Sequence, residues 1–300
     1  MEYFEITIRK ISLPHFYSGH DLDKTDNCSS MKNSFFFIAF LFTVIGMPAS
    51  AQMYKGKPVS HVSILSGNII PGKGFTLGIR MNLEPEWHSY WKNPGDAGLP
   101  MAAELIDANG FQTGELRFPT PHKYATNDAV LYGYDSEVVF LLPIKPPAGA
   151  RSSPHFKIKL TWLSCKEVCL PGAATLEFNA DSVTATERKE NQHLLDRWTA
   201  RLPQPGNGFN LDKIGTTVTE KDGKLSVFIK FLEMAPGTVT DFFPEVVDGF
   251  LVDYTNIVIG DAGITLTMTP ESKESKLTAI KGLALIGTSG YEVNFPITKQ

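Results

Sequence analysis

Phe75-Thr76-Leu77-Gly78-Ile79-Arg80-Met81-Asn82-Leu83 alternates apolar residues with polar or small ones over its whole length. Successive side chains of an extended chain point to opposite sides, so a period of two collects Phe75, Leu77, Ile79, Met81 and Leu83 on one buried face. A strand with one face in a core is therefore expected here. The same alternation returns in Phe156, Ile158, Leu160 and Trp162, interleaved with Lys157, Lys159 and Thr161. Val138 to Leu142 and Ala174 to Phe178 read as shorter strands. Between these runs lie connections rich in Pro and Gly, including Asn93-Pro94-Gly95-Asp96, Pro119 to Pro121 and Pro146-Pro147. Short strands separated by many turns predict an all-β sandwich.

Helical spacing is clear from about Thr186 to Leu202, where Leu194, Leu195, Trp198 and Leu202 recur among charged neighbours, and Pro203 and Pro205 end it. The strand pattern resumes beyond Gly208, with Leu225 to Phe231, Ile264 to Met268 and Tyr291 to Ile297. Gly260-Asp261-Ala262-Gly263 and Gly287-Thr288-Ser289-Gly290 read as hairpin loops. The predicted organisation is a first β-sandwich over 52–184, a short helical linker over 185–207 and a second β-sandwich over 208–300. That second sandwich has no cysteine and no cluster of candidate ligands, so it reads as a packing or docking module.

The chain has 300 residues, 42% of them apolar and 20% charged, proportions that exclude wholesale disorder and a polytopic membrane protein. Its formal charge is −4, and no basic block is present to neutralise a run of phosphates, which argues against nucleic acid as a partner. Phe35 to Met47 is uncharged and apolar, but short of the roughly 18 to 20 residues a membrane-spanning helix needs. With Lys32 before it and Ala49-Ser50-Ala51 after it, the segment 31–51 has the layout of a secretory signal cleaved after Ala51. Residues 1–30 then read as an upstream extension, with Met31 as the initiator. Cleavage would also remove Cys28, leaving Cys165 and Cys169 as the only thiols of a chain headed for an oxidising compartment.

Those two cysteines enclose only Lys166, Glu167 and Val168. Fully extended, the segment would hold the Cα atoms about 13 Å apart, so a bond requires a turn, met by a loop or one helical turn. Bridging demands a separation under about 7 Å. A passive disulfide is the common fate of paired cysteines in exported proteins, yet closing so small a ring removes only about 2 kcal/mol of chain entropy. Neighbouring cysteines also suit exchange, because the second thiol stays at hand to resolve a mixed disulfide. Spacing alone leaves both roles open. Copper is a further alternative, since C-x3-C-x-P occurs in copper-handling proteins of the thioredoxin-like class where a distant His completes the site, and His88 and His122 are available. Those proteins place the motif at a strand-to-helix junction, whereas here strand patterns flank it on both sides.

The stretch Glu86 to Pro100 (EWHSYWKNPGDAGLP), together with Tyr132-Gly133-Tyr134 and Leu160 to Gly172 (LTWLSCKEVCLPG), resembles the periplasmic N-terminal domain of the DsbD/ScsB thiol:disulfide interchange proteins. The resemblance runs from about Val59 to Phe178. It implies that the oxidising compartment is the periplasm, and with it immunoglobulin-like sandwiches and a cysteine pair that accepts electrons from a membrane thiol transporter and passes them to periplasmic thioredoxin-like proteins. By the same resemblance Cys169 forms the mixed disulfide and Cys165 resolves it. His88 and Tyr90 match aromatics that shield the thiols, and Leu131-Tyr132-Gly133 matches the tip of a cap. The C-x3-C spacing is nearer the ScsB branch, which is associated with copper tolerance. Lys166 would favour a thiolate and Glu167 would oppose it.

The expected activity is thus that of a thiol:disulfide oxidoreductase of the protein-disulfide reductase type, working without a bound cofactor or metal. The DsbD/ScsB relatives continue into a membrane domain that this sequence lacks, so the transporter is expected to act in trans. The competing expectation is a non-catalytic periplasmic binding or adaptor module with a structural disulfide, copper binding being one version of it.

Overall fold

The computed structural model describes residues 51–297 apart from 127 and 236. The upstream extension, the initiator Met31, Cys28 and the signal segment up to Ser50 lie outside the described residues. Ala51 already belongs to a strand, paired with His61.

In chain order the first half contains β1 (Ala51–Tyr54), β2 (Lys57–Ser66), β3 (Phe75–Leu83), β4 (His88–Gly95), β5 (Ala102–Ile106), β6 (Gln112–Thr113), β7 (His122–Ala125), β8 (Val130–Asp135), β9 (Glu137–Lys145), β10 (His155–Cys165) and β11 (Cys169–Asn179). They form two sheets, one in the order β1-β2-β3-β9-β6 and one in the order β11-β10-β4-β8-β7, with β5 also paired to β10. The inward faces meet as the alternation requires: Leu77, Ile79 and Met81 of β3 and Phe156, Ile158 and Leu160 of β10 share one core.

Gly78, on the opposite face of β3, is buried too. The reason is α1 (Ala185–Thr199), whose Leu195 and Trp198 are buried in the same core cluster. A Cβ on Gly78 would lie 2.8 Å from both Leu195 and Val139, so glycine is what lets the helix lie down on the sheet. This also explains why Val138 to Leu142 is a continuous apolar run, since both of its faces are covered. The helix opens on a capping box, Thr184 Oγ accepting from Glu187 N at 3.2 Å while Glu187 accepts from Thr184 N at 2.8 Å. It ends at Thr199, earlier than its periodicity predicts, because Pro203 follows.

Beyond the helix come β12 (Gln204–Pro205), β13 (Ile214–Lys221), β14 (Lys224–Phe231), β15 (Asp241–Pro244), β16 (Phe250–Val252), β17 (Val258–Gly260), β18 (Gly263–Pro270), β19 (Ala279–Ile286) and β20 (Ser289–Pro296). Their sheets run β12-β20-β19-β15 and β13-β14-β18-β16, with β17 on β18. Val227, Ile229, Leu266, Ile280 and Phe295 fill a second core. The fold is all-β, two immunoglobulin-like sandwiches joined by one helical segment. The two are not merely strung together, because Phe243 and Leu283 of the second sandwich are buried in the core cluster of the first.

Candidate functional site

Strands β10 and β11 form one long hairpin whose last cross-strand pair is Cys165 and Cys169. The turn that the cysteine spacing requires is this hairpin tip, Lys166-Glu167-Val168, closed by Lys166 N donating to Val168 O at 3.1 Å. It is not a helical turn. Directly opposed on neighbouring strands, the two Cα atoms are 4.1 Å apart, and the sulfurs are joined in a disulfide. Two local features hold the returning strand. Gln52 Nε2 donates to Leu170 O at 2.7 Å, and Gly172 lies over the Trp162 indole, where a Cβ would come within 2.2 Å of the ring. The C-L-P-G run therefore needs its glycine for close backbone approach.

The two cysteines differ in setting. Cys165 is 2% exposed, flanked by Cys169 on one side and by His88 of β4 on the other. Cys169 is exposed. On the same side of the sheet Tyr90 places its hydroxyl 4.0 Å from Cys169 Sγ and 3.3 Å from His88 Nε2. The His88 ring meets Tyr90 edge-on at 5.4 Å and stacks on Tyr124 at 5.7 Å. Tyr124 in turn donates to Asp135 Oδ2 at 3.1 Å. Burial lowers the His88 pKa, an effect the Asp135 carboxylate partly opposes, so the imidazole is held toward its neutral form. Burial raises the Tyr90 pKa and keeps that hydroxyl protonated.

Lys166 does not face the sulfurs as a free cation. Its ammonium pairs with Glu86, and that hydrogen bond raises its pKa. Glu86 takes up this position in a left-handed backbone conformation, φ 71°, at the turn leading into β4.

The segment Asn93-Pro94-Gly95-Asp96, a plain connection by its composition, is instead built into a bulge of β4. Tyr90 pairs with Gly133 and Gly95 with Leu131, so Trp91, Lys92, Asn93 and Pro94 all stand opposite the single residue Tyr132. The chain then turns back. Asp96 Oδ2 accepts from Val130 N at 2.7 Å, and Gly98, at φ 123°, lies on the Tyr90 ring, where a Cβ would be 2.4 Å from two ring carbons. Of the sequence-predicted shielding residues, the structure brings His88 and Tyr90 to the disulfide. Leu131 and Tyr132 sit on β8, and Tyr132 points away, its ring 4.6 Å from Phe243 of the second sandwich and 6.2 Å from Trp91. The residue lying on Tyr90 is Gly98. Tyr124 and Asp135 carry no motif; Gly95 and Gly98, two glycines three residues apart, are the one sequence feature that could have pointed to a close backbone approach here.

Residues 58–180 match the family model described as thiol:disulfide interchange protein DsbD, N-terminal. This segment is similar to that domain. The match runs from β2 through β11 of the sandwich that carries the disulfide and stops short of α1. Among solved structures, the crystal structure of the N-terminal periplasmic domain of ScsB from Proteus mirabilis is similar in fold, with a TM-score of 0.63 at 16% identity, covering 84% of this chain and 98% of that one. A likeness of that extent reaches past the matched segment into the second sandwich. No curated protein matches the chain.

His122, the other candidate copper ligand, has its ring tilted against Tyr124 at 6.4 Å. Among the described residues no group of three or more His, Cys, Asp or Glu is placed to hold a metal. A cleft of about 930 Å³ between the sandwiches is lined by His122, Lys123, Asp135, Arg201 and Asp241 among others, and neither cysteine lines it. Among the described residues no helix is long and apolar enough to cross a membrane.

Proposed function

We propose that the chain is a periplasmic thiol:disulfide oxidoreductase of the protein-disulfide reductase type, relaying electrons from a membrane thiol transporter to periplasmic thioredoxin-like proteins through Cys165 and Cys169. The observation that carries this reading is the asymmetry of the pair, with Cys169 exposed at the hairpin tip and Cys165 buried behind it. A donor thiolate reaches Cys169 Sγ and forms a new S–S bond there. The Cys165–Cys169 bond breaks, and its electron pair leaves on Cys165, which takes up a proton. The donor's second thiol then attacks the donor sulfur of the mixed disulfide and releases Cys169, so two electrons and two protons have been transferred. Handing them on reverses the roles: the Cys169 thiolate attacks a client disulfide, and Cys165 resolves the mixed disulfide as the pair closes again.

His88 and Tyr90 serve this chemistry as shields. A reduced pair in an oxidising compartment is consumed by adventitious oxidants unless access to the nucleophilic sulfur is restricted. Tyr90, covered by Gly98 and reaching Cys169, limits approach to one side.

The test is trapping. Cys165→Ala in cells is expected to accumulate Cys169 in mixed disulfides with a thioredoxin-like protein, while Cys169→Ala is expected to trap none. The reduction potential of the wild-type pair should fall within about −270 to −180 mV, the range of exchanging dithiols. A potential below about −300 mV and an empty trap would leave a structural disulfide in an adaptor module.

A further inference from the structure

The bulge of β4 is poorly self-supported. Four residues stand opposite Tyr132, so the ladder between β4 and β8 is interrupted there. Among the described residues the buried side-chain polar atoms without a hydrogen-bond partner are Ser89 Oγ, Trp91 Nε1 and Tyr132 Oη, all in β4 or in the residue facing the bulge. None of the three has a protein partner, and Trp91 and Tyr132 belong to the bulge and to the residue facing it, so the bulge gains no side-chain hydrogen bond there to offset its broken ladder. Something else must hold this conformation in place.

The contacts that hold it come from the second sandwich. Asn93 is buried, and its Nδ2 donates to Pro244 O at 2.7 Å and to the Tyr254 hydroxyl at 3.1 Å. Its Oδ1 accepts from Gly95 N at 3.2 Å, so a single side chain joins β15 to the residue where the bulge ends. Lys92 pairs with Glu245 beside it. From Gly95 the backbone runs through Asp96, tied to Val130, to Gly98 on the face of Tyr90 and so to within one ring of Cys169.

We infer that the second sandwich acts on the disulfide through Asn93: by anchoring the bulge it keeps the strap that leads from Gly95 to Gly98 seated with Gly98 on Tyr90, and so restricts access to Cys169 Sγ from the Tyr90 side. Asn93 and Tyr254 are positioning residues in this scheme, neither of them touching the sulfurs. The physiological purpose of the device rests on the exchange reading above, but its test needs no protein partner. The probe is dithiothreitol, and the readout is the rate of reduction of the Cys165–Cys169 bond in the full chain, followed by alkylation of the released thiols. Asn93→Ala should accelerate reduction about tenfold, the equivalent of one buried hydrogen bond, and Tyr254→Phe by a smaller factor, about threefold. The equilibrium potential against dithiothreitol should stay where it is, since the strap touches Tyr90 and neither sulfur. Wild-type rates in both variants would overturn the inference, as would acceleration that no longer depends on dithiothreitol concentration, which marks access through global unfolding. If Asn93→Ala does not fold, Tyr254→Phe decides alone. An empty trap in cells with fast reduction in these variants would sink the relay and spare the strap; the opposite pair of results would do the reverse.

Discussion

The two sandwiches are made from the same alternating strands but treat their outward faces differently. On the five-stranded sheet of the second sandwich, Thr265, Thr267 and Thr269 of β18 alternate with buried Ile264, Leu266 and Met268, and the ladder to β14 runs in unbroken register from Leu225 to Lys230. On the six-stranded sheet of the first, β4 loses register for four residues, and its outward side carries His88 and Tyr90, packed with Tyr124 against a sulfur. Regular pairing satisfies the backbone and leaves a bland surface. Reactive groups gather where pairing is interrupted, at a hairpin tip and a bulge, because only there can a backbone fold back over its own sheet. The second sandwich contributes no reactive group of its own to the disulfide and acts on the first as a support.

That contrast can be broken at its joint. Phe243→Ala removes a ring that is 2% exposed and packed on Tyr132 in the first core, and it should cost about 3–5 kcal/mol. Thermal unfolding followed by circular dichroism should still show one cooperative transition, shifted down. Two transitions, with only one displaced, would mean that the sandwiches are independent and the support is illusory.

A smaller effect should come from Gly98→Ala, which drives a methyl into the Tyr90 ring at a backbone angle that disfavours a side chain. We expect a loss of about 1–3 kcal/mol, as for overpacking elsewhere, together with faster reduction by small thiols. The corresponding change at Gly287, a hairpin turn of the second sandwich with φ 61° and open space around it, should alter stability through backbone strain alone and leave reduction untouched. Equal reduction rates in the two variants would erase the distinction between the faces.

The smallest effect concerns pH. Because burial depresses the His88 pKa in the folded state, the unfolded chain binds a proton there more readily. The contribution of neutral His88 is complete above the unfolded value of about 6.5 and is lost as the pH falls through that value toward the lower folded one. His88→Gln should flatten the acid side of a stability profile measured by denaturant titration. A profile as steep as that of the wild type would place the titrating group elsewhere.

How much of this could be read in advance varies by feature. The alternation of Phe75 to Leu83 and of Phe156 to Trp162 identified strands and their buried faces, and the cysteine spacing required a turn between the two sulfurs. Local periodicity could not tell a hairpin tip from a helical turn, since both bring residues i and i+4 together. It also took Asn93-Pro94-Gly95-Asp96 for a connection, because Pro and Gly terminate regular structure in either case and the returning pair of Gly95 with Leu131 is remote in sequence. Tyr132, matched to a cap by resemblance, faces Phe243, a contact across more than a hundred residues that no nearby pattern announces.

Amino-acid order alone determined the strand faces, the helix between the sandwiches and the presence of two sulfurs four residues apart, since each depends on neighbours within a few bonds. Which sulfur meets solvent, which aromatic covers it and which distant amide steadies the cover were decided only when the sheets closed on one another, because burial and hydrogen-bond partnership depend on every element that arrives at a place, whatever its distance along the chain.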